Sequence, residues 1–512
     1  MSQNIGQLLT RRAYRDPGLG AVYEPDSGRR FSYVEINARS NQVANALTET
    51  GVAKGDRVGL LLMNGCEFFE TFFAVGKVGA VNVPLNWRLI PDELEFILSD
   101  AGATVLIYGE EFAENVAELR RRGGTTAITT WIQVGSAAPG GVVDYNHWMG
   151  AASADEPEAG ASGDDLLFIM YTSGTTGLPK GVMHSHNTVL WATLTIAATS
   201  DFHQGDVYLN SLPMFHVGAL SPVMSGVFGG ATIILLKAFD PKLSWELIRD
   251  EKVTTTLMVP AMLQFMLAVR DEAEHDASTL RWCMSGAAPV PVSLIKAYEA
   301  LEIEIHQVYG LTETGGPACL LTSADAMARA GSTGKAFYFT EVRVAREDGT
   351  DCDADESGEI LVKGPHIMMG YWNRPDATAE AVVDGWLHTG DVATMDADGF
   401  VTIVDRVKDM LISGGENVYP AEIENVLLSN DKVADAAVIG IPSDKWGESP
   451  LAVIVASDDS LTADELIEFC TGKLAQFKTI RAVEFVAEIP RNPSGKILKR
   501  ELREQYNYPA PG

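Results

Sequence analysis

The chain has 512 residues, 46% of them hydrophobic and 21% charged, and its 39 basic and 69 acidic side chains give a net charge of −30. This balance is typical of a globular protein with a large core, and it excludes a disordered chain or a collagen-like repeat. The negative charge repels nucleic acid and anionic membranes, so neither is an expected partner. Small anions are not excluded, because local cations and backbone N–H groups can hold them in an acidic protein.

The first half of the chain alternates apolar strands with amphipathic helices. Continuous apolar runs, typical of buried parallel strands, occupy residues 57–63, 80–84, 104–108 and 166–170. Residues 67–78 have helical spacing, and residues 135–164, rich in Gly, Ala and Asp, are typical of a surface connection. The alternation predicts an α/β fold with a large N-terminal domain of helix-covered sheets.

After about residue 331 the pattern changes to short strands with tight turns, which predicts a β-rich subdomain; the Asp-Gly turn at residues 396–399 is a hairpin signal. A small mobile α+β C-terminal domain is predicted next. Its helices open at Pro420 and Thr462, and its strands cover residues 436–441 and 451–456.

The end of this unit is basic. Between Lys473 and Arg503 the cations outnumber the carboxylates by five. That excess suggests an anionic ligand, but a solvated basic helix explains it equally well.

The sequence also indicates the cellular compartment in which the protein is expected. Its five cysteines are scattered without a C-x-x-C pair, which fits a reducing environment and excludes a disulfide frame or a zinc site. The N-terminus lacks a signal-peptide pattern, and no apolar run approaches the roughly 20 residues needed to span a bilayer. We therefore expect a cytoplasmic protein without stable membrane insertion.

The strongest chemical signal is residues 171–181, a compact stretch of hydroxyl side chains and glycines that contains Lys180. Glycines let backbone N–H groups turn towards one point, and the hydroxyls and the lysine add donors and charge, so the stretch predicts a phosphate-binding loop. We expect a strand before the loop and a helix after it. A flexible surface turn is the alternative.

This loop resembles the phosphate-binding signature of the adenylate-forming superfamily, which comprises acyl-CoA synthetases, aryl-CoA ligases, firefly-type luciferases and adenylation domains. Six further segments resemble the superfamily's motifs in the same order: residues 212–216, 285–289, 309–315, 386–391, 405–417 and 490–496. The matches cover nearly the whole chain, and in character they resemble the bacterial fatty-acyl-CoA synthetases.

The resemblance implies a two-step, AMP-forming reaction that uses ATP, Mg²⁺ and coenzyme A. A carboxylate first attacks the α-phosphorus of ATP, which gives an acyl-adenylate and pyrophosphate. The thiol of coenzyme A then attacks the acyl carbon, and AMP leaves. Because both partners in the first step are anions, neutralising charge is the main task of the site.

The resemblance also implies roles for individual residues. The loop for the β- and γ-phosphates would comprise Thr172, Ser173, Gly174, Thr175, Thr176, Gly177 and Lys180. Thr312 would contact the α-phosphate, and Glu313 would hold Mg²⁺, which takes its remaining ligands from phosphates and water. From these two residues alone, the start of a helix is the simpler interpretation. The adenosine site would comprise Gly286, Ala287, Ala288, Tyr309 and Gly310 around the base, with Asp391 and Arg406 on the ribose.

Domain motion is implied as well. Residues 1–405 would form the adenylation domain, 406–409 the hinge around Lys408, and 410–512 the lid. Lys496 would neutralise the α-phosphate and the attacking carboxylate. Rotation of the lid would then withdraw Lys496 and bring Ser413, Gly414 and Gly415 to the site for thiol attack.

The acyl pocket is the least determined part. His216 resembles the histidine that orients the acid or gates the coenzyme A tunnel. The segments expected to line the pocket, residues 217–224, 282–287 and 310–318, are apolar and lack Arg and Lys, which disfavours a second charge on the substrate. The small residues near 310–316 are expected to leave room for an extended chain or a ring.

We therefore expect a hydrophobic monocarboxylic acid, in the first place a medium- or long-chain fatty acid. Aryl acids of the cinnamate, ferulate or benzoate type and steroid side-chain acids stay open. Transfer of the acyl group to a carrier protein also stays open as an alternative. A further alternative is a protein that binds a nucleotide without catalysing a reaction, but the presence of Lys180, Glu313 and Lys496 argues against it. The oligomeric state also stays open, a homodimer included.

Overall fold

The computed structural model describes residues 3–136, 138–172, 179–271, 274–288, 290–322, 325–326, 328–406, 409–413, 416–443, 447–458, 460–471, 473–474, 478–491 and 497–508. Within those ranges no helix combines the length and the apolar character needed to span a bilayer.

The strands, in chain order, are β1 (Gly20–Glu24), β2 (Arg29–Ser32), β3 (Arg57–Leu61), β4 (Val81–Pro84), β5 (Ala103–Gly109), β6 (Thr130–Val134), β7 (Val143–Asp144), β8 (Leu166–Thr172), β9 (Lys180–Ser185), β10 (Val207–Asn210), β11 (Thr232–Leu235), β12 (Thr255–Leu257), β13 (Trp282–Ser285), β14 (Glu304–Tyr309), β15 (Cys319–Leu320), β16 (Lys335–Ala336), β17 (Glu341–Ala345), β18 (Gly358–Lys363), β19 (Gly370–Tyr371), β20 (Val382–Val383), β21 (Trp386–Met395), β22 (Val401–Arg406), β23 (Leu411–Ser413), β24 (Glu416–Val418), β25 (Val433–Ser443), β26 (Gly447–Ala456) and β27 (Ala482–Phe485).

The α-helices are α1 (Gly6–Arg15), α2 (Tyr33–Glu49), α3 (Cys66–Val78), α4 (Pro91–Ala101), α5 (Ala113–Arg122), α6 (Tyr145–Gly150), α7 (His186–Thr199), α8 (Val217–Gly229), α9 (Pro241–Asp250), α10 (Pro260–Ala268), α11 (Val292–Glu299), α12 (Pro375–Ala381), α13 (Pro420–Leu428), α14 (Ala463–Cys470) and α15 (Lys499–Gln505). Short 3₁₀ helices cover Glu110–Phe112 and Thr312–Thr314.

Two large sheets, mostly parallel, form the N-terminal part of the described chain. One has the strand order β16-β15-β14-β13-β12-β10-β11-β1-β2, and the other has the order β19-β9-β8-β4-β3-β5-β6-β7. The apolar runs predicted as strands lie in β3, β4, β5 and β8. The carboxyl ends of β13 and β14 lead directly into two of the motif segments, so this edge of the first sheet positions the site.

Helix α3 is almost wholly buried, which explains why its sequence is apolar around most of its circumference. Phe69, Phe72 and Phe73 lie in the largest hydrophobic core, with their rings packed on one another. The helix ends at Gly79, whose φ of 80° lies in the left-handed region that glycine adopts without a steric cost.

Two smaller antiparallel units follow. Strands β17, β18, β21, β20 and β22 form one sheet, in which the Asp-Gly turn joins β21 to β22 as predicted. Strands β24, β23, β26, β25 and β27 form the other, with α13 opening at Pro420 and Thr462 capping α14. The predicted fold class is confirmed. The boundaries at residues 405 and 410 stay a prediction.

Two local expectations were wrong. The phosphate loop is not followed by a helix: β8 and β9 pair antiparallel, with Thr172 opposite Lys180, so the loop closes a hairpin and α7 begins only at His186. Residues 135–164 are not purely a surface connection. They contain α6, whose Tyr145 is fully buried and donates its hydroxyl hydrogen to Glu70 over 2.9 Å.

Candidate active site

A cavity of about 2110 Å³ opens between the carboxyl ends of the first sheet and the C-terminal unit. The predicted site residues that line it are Thr172, Lys180, His216, Gly286, Ala287, Ala288, Tyr309, Gly310, Thr312, Glu313 and Asp391. These residues come from five segments that are far apart in the sequence, and the fold brings them to one place.

The phosphate loop is described only at its two ends. Ser173, Gly174, Thr175, Thr176 and Gly177 lie outside the described residues. At the end that is described, the Lys180 ammonium lies 5.1 Å from the centre of the Tyr371 ring. The residue before Thr172 is also anchored, because Tyr171 donates its hydroxyl hydrogen to Asp100 over 2.7 Å.

Glu313 and Thr312 lie on a single 3₁₀ turn, so the interpretation as the start of a helix is correct at the level of local structure. Tyr371 donates its hydroxyl hydrogen to Glu313 Oε1 over 2.8 Å, and the backbone N–H of Met368 donates to the Glu313 carbonyl over 2.8 Å. His184 Nε2 lies 2.8 Å from the carbonyl oxygen of Thr312. The turn is thus held from three sides.

The predicted adenine pocket is formed where β13 and β14 end. Ala287 has a φ of 66°, an uncommon value for a residue with a side chain. A Cβ atom on Gly286 would overlap the carbonyl oxygen of Val308, and one on Gly310 would overlap that of Gly316. The glycines therefore allow close approach of the backbone. At position 310 the glycine is required because backbone fills the space of a side chain; that residues 310–316 leave room for the acid stays a prediction.

Asp391 is 4% exposed and accepts a hydrogen bond from the Tyr309 hydroxyl at 2.7 Å, so the two residues predicted for base and ribose contact each other. Burial and the Asp391 carboxylate raise the pKa of the Tyr309 hydroxyl well above its usual value, which keeps it a donor. In the sheet, Asp391 is directly opposite Arg406, the other predicted ribose residue. The side chain of Arg406 lies outside the description.

His216 occupies the N-cap position of α8, without a capping hydrogen bond from its side chain, and is half-buried. Burial, assisted by the charge of Arg88, lowers the pKa of its imidazole to about 4, so the ring is neutral at neutral pH. Its Nε2 atom has no hydrogen-bond partner among the described residues. A neutral ring with an unpaired nitrogen is suited to orienting a substrate by a hydrogen bond.

Sequence reasoning missed several residues of the site. Tyr371 and His184 hold the Glu313 turn from outside the motif that contains it. Arg88 and Lys237 line the cavity from segments that were not expected to contribute, so the cavity holds cations that the predicted pocket segments lack. Burial lowers the pKa of the Arg88 guanidinium, which lies 4.0 Å from the centre of the Trp87 ring.

The basic end of the C-terminal unit is neutralised to a large extent by its own carboxylates. The ion pairs are Lys478–Glu422, Arg491–Asp435, Lys499–Glu424, Arg500–Glu504 and Arg503–Asp409. All five carboxylates lie outside the segment from 473 to 503, four of them before it and Glu504 directly after it, which is why a count along that segment overstated the charge. A general anion-binding patch is therefore not supported.

Lys408, Gly414, Gly415 and Lys496 lie outside the described residues, and Ser413 is buried in β23. Arg491 and Ile497, which flank residues 492–496 in the chain, form an antiparallel bridge. Both residues also line the cavity.

The described residues contain no group of three or more His, Cys, Asp or Glu side chains that could hold a metal ion. Glu313 is a single carboxylate on the cavity wall. Such a ligand suits Mg²⁺ that is bound together with substrate phosphates, and it does not suit a metal held by protein alone.

Comparison with known proteins agrees with this geometry. The profile of the AMP-binding enzyme family matches residues 9–372, and that of the AMP-binding enzyme C-terminal domain matches residues 422–496. The chain belongs to the AMP-binding enzyme family.

Comparison with individual relatives specifies the class of enzyme within this family. The long-chain-fatty-acid–CoA ligase FadD13 of Mycobacterium tuberculosis is 45% identical over 99% of this chain and 100% of that protein. The feruloyl-CoA synthase of an Amycolatopsis species is 41% identical over 99% of both chains. The structure of the anthranilate CoA ligase AuaEII in complex with anthranoyl-AMP is 28% identical and superposes with a TM-score of 0.91, covering 99% of this chain and 98% of that one. The predicted enzyme class, an AMP-forming acyl-CoA synthetase, is confirmed; this class uses ATP and coenzyme A.

Proposed function

We propose that the protein is an ATP- and Mg²⁺-dependent ligase that converts a hydrophobic monocarboxylic acid, in the first place a medium- or long-chain fatty acid, into its coenzyme A thioester. The observation that carries the proposal is the convergence of Lys180, Glu313, Asp391 and His216 on one cavity with largely apolar walls.

In the first half-reaction a carboxylate oxygen of the acid attacks the α-phosphorus, and the bond from that phosphorus to the pyrophosphate oxygen breaks. Lys180, with the loop residues 173–177, neutralises the β- and γ-phosphates. Thr312 contacts the α-phosphate. These groups act mainly by offsetting charge between two anions, which is where most of the catalysis of phosphoryl and adenylyl transfer arises.

Mg²⁺ would be held by Glu313 and the phosphates, and when bound it supplies further positive charge to them. Tyr371 positions the Glu313 carboxylate by the 2.8 Å hydrogen bond to Oε1. Because Tyr371 occupies Oε1, the carboxylate keeps one orientation towards the cavity before any ligand arrives, which reduces the cost of ordering it.

Adenosine is held by the Tyr309 ring and the Asp391 carboxylate, which are joined by a hydrogen bond before the nucleotide binds. Tyr309 stacks on the base, Gly286 to Ala288 and Gly310 form its border, and Asp391 with Arg406 binds the ribose. Because the Tyr309 hydroxyl donates to Asp391, the ring cannot rotate away without releasing the ribose ligand.

The acid occupies the part of the cavity between α8 and the first sheet. Apolar side chains on this wall, which favour a hydrophobic acyl group, are Val217, Leu257, Met284, Val308 and Phe337. His216, neutral and with an unpaired Nε2, orients the carboxylate at the open side. Arg88 contributes positive charge near His216, where anionic groups enter.

Transfer to coenzyme A follows a rotation about residues 406–409. Lys496, on the lid, neutralises the α-phosphate and the attacking carboxylate during adenylation. This role is supported by Arg491 and Ile497, which flank residues 492–496 in the chain and line the cavity. Rotation removes Lys496 and brings the face of Ser413, Gly414 and Gly415 to the acyl carbon. The thiolate of coenzyme A attacks that carbon, the bond to the AMP oxygen breaks, and AMP departs.

An aryl acid is the second candidate, because the feruloyl-CoA synthase relative is nearly as similar as the fatty-acid ligase. The test is AMP release and thioester formation with ATP, Mg²⁺ and coenzyme A across aliphatic, aryl and steroid acids. We expect thioester with free coenzyme A from at least one hydrophobic acid and little with dicarboxylates. Adenylation without thioester would point to a carrier protein as acceptor, and absence of both reactions with every acid would overturn the proposal.

A further inference from the structure

Three aromatic residues, Phe202, Tyr208 and Trp282, are among those that line the cavity, and their part of it is called the aromatic end. The centre of the Phe202 ring lies 5.9 Å from that of Tyr208 and 5.4 Å from that of Trp282. Tyr208 and Trp282 share a register position on the parallel strands β10 and β13, each opposite Thr255 of β12. This aromatic end is therefore built on the first sheet itself.

The aromatic end lies far from the nucleotide. Trp282 begins β13, whereas Gly286 follows the other end of the same strand. At about 3.3 Å per residue, the strand separates the two by roughly 13 Å. A group bound at the aromatic end would consequently be the part of the acyl group most distant from its carboxylate.

Two hydrogen-bond donors at this end have no partner among the described residues, the Tyr208 hydroxyl and the Trp282 Nε1–H group. The residues are only 1% and 2% exposed. An indole N–H can only donate, and buried donors in folded proteins are almost always paired. Each unpaired donor costs free energy that an acceptor atom would recover.

The charged residues next to the aromatic end already have partners of opposite charge. Arg281, next to Trp282 in the chain, forms an ion pair with Asp206 at 2.6 Å. His306 stacks on Trp282 with 5.7 Å between ring centres, and its Nε2 lies 3.1 Å from Glu304. Because the cation beside the rings is paired, a carboxylate would be poorly stabilised there, whereas a neutral oxygen would suit two donors.

We infer that the aromatic end binds a neutral acceptor oxygen, of the ketone or ether type, carried by the far end of the acyl group. This inference rests on the proposed function and narrows its substrate class from hydrophobic acids in general to oxygenated hydrophobic acids. A site built to hydrogen-bond a substrate group discriminates strongly against an analogue that lacks it, because its own polar groups are then left unpaired.

The test uses pairs of acids in which an oxygen is replaced by a carbon group of the same shape: 4-methoxycinnamate against 4-ethylcinnamate, and 9-oxodecanoate against 9-methyldecanoate. The measured quantity is the ratio of kcat/KM within each pair for thioester formation. We expect a ratio of about ten in favour of the oxygenated acid in at least one pair. Tyr208→Phe and Trp282→Phe, each of which removes one donor, should lower that ratio towards one.

Tyr298→Phe is the matched control. Tyr298 is also buried, but it belongs to a different hydrophobic core, and its hydroxyl hydrogen is donated to the Leu263 carbonyl over 2.8 Å. This variant should keep the wild-type ratio, and thermal unfolding of all three variants verifies that they fold.

Ratios at or below one in both pairs for the wild-type enzyme would overturn the inference, and so would a ratio that survives both donor substitutions. In either case thioester would still form, so the proposed function would stand. Absence of thioester from all four acids and from the wider panel of hydrophobic acids would overturn both.

Discussion

Tyr371 donates a hydrogen bond to Glu313 over 2.8 Å, and the face of the same ring lies 5.1 Å from the ammonium of Lys180. One side chain thus contacts the carboxylate proposed for Mg²⁺ and the lysine proposed for the phosphates. Burial and the Glu313 charge raise the pKa of the Tyr371 hydroxyl, so that it stays protonated and remains a donor.

Tyr371→Phe should weaken the response of the enzyme to Mg²⁺. Removal of a partner that orients a metal ligand commonly costs about 10- to 100-fold in metal affinity, so we expect a rise of at least about tenfold in the Mg²⁺ concentration for half-maximal ATP–pyrophosphate exchange. Exchange at saturating Mg²⁺ should fall less than in Glu313→Gln. An unchanged Mg²⁺ dependence in Tyr371→Phe would show that the hydrogen bond has no positioning role.

The stability of the protein should decrease as the pH falls below neutrality. Burial lowers the pKa of His184, His186, His216 and His366 to about 4. Between about pH 6.5 and 4 the unfolded chain binds protons at these histidines and the folded chain does not. Each histidine therefore lowers the free energy of unfolding by up to about 1.4 kcal/mol for every pH unit of acidification. Urea unfolding at a series of pH values measures the slope.

Carboxylates with lowered pKa values, such as Glu67 and Asp206, act in the same direction. His366→Gln separates the contributions, because it removes one titrating histidine and leaves those carboxylates in place. Its stability should depend less steeply on pH than that of the wild-type chain over the same range. Equal slopes would contradict the assignment of a lowered pKa to His366.

Lys496→Ala should abolish adenylation but keep thioester formation from supplied acyl-adenylate, because the proposed role of Lys496 is confined to the first half-reaction. Lys473→Ala is the control: Lys473 belongs to the same basic end, but its ammonium lies over the Phe469 ring and it does not line the cavity. It should leave both half-reactions intact. Equal loss of both in Lys496→Ala would refute the assigned role.

Gly310→Ala should destabilise the fold, because the added methyl group would overlap the carbonyl oxygen of Gly316. We expect a loss of about 3 kcal/mol or more in unfolding free energy, as for severe overpacking. Gly218→Ala, which would meet no atom within 4 Å, should keep or slightly raise stability and reduce the size of the acids accepted. Equal unfolding midpoints for the two variants would contradict this account.

Local signals predicted much of the fold. Apolar runs identified β3, β4, β5 and β8, and the Asp-Gly turn identified the hairpin between β21 and β22. The structure that follows the phosphate loop was harder to predict. Residues 180–185 form a strand because they pair with β8, and that pairing depends on contacts that local periodicity does not contain.

The same distinction applies to the site. Motif residues such as Tyr309 and Asp391 were identified and proved to be in contact, although they are far apart in the chain. Arg88, Tyr371 and His184 were missed, because each comes from a segment without a recognisable chemical pattern and reaches the cavity only through the packing of the sheets. Residue type alone does not report such proximity.

Gly286 and Gly310 have a consequence for how substrate preference diverges among such enzymes. Because neighbouring carbonyl groups occupy the space of any side chain there, these positions cannot drift during evolution. Gly218 on α8, where a Cβ atom would meet no atom within 4 Å, has that freedom. Enzymes that descend from one ancestor would therefore acquire new substrate preferences by exchanging residues at such open positions, while the glycines beside the nucleotide are inherited unchanged.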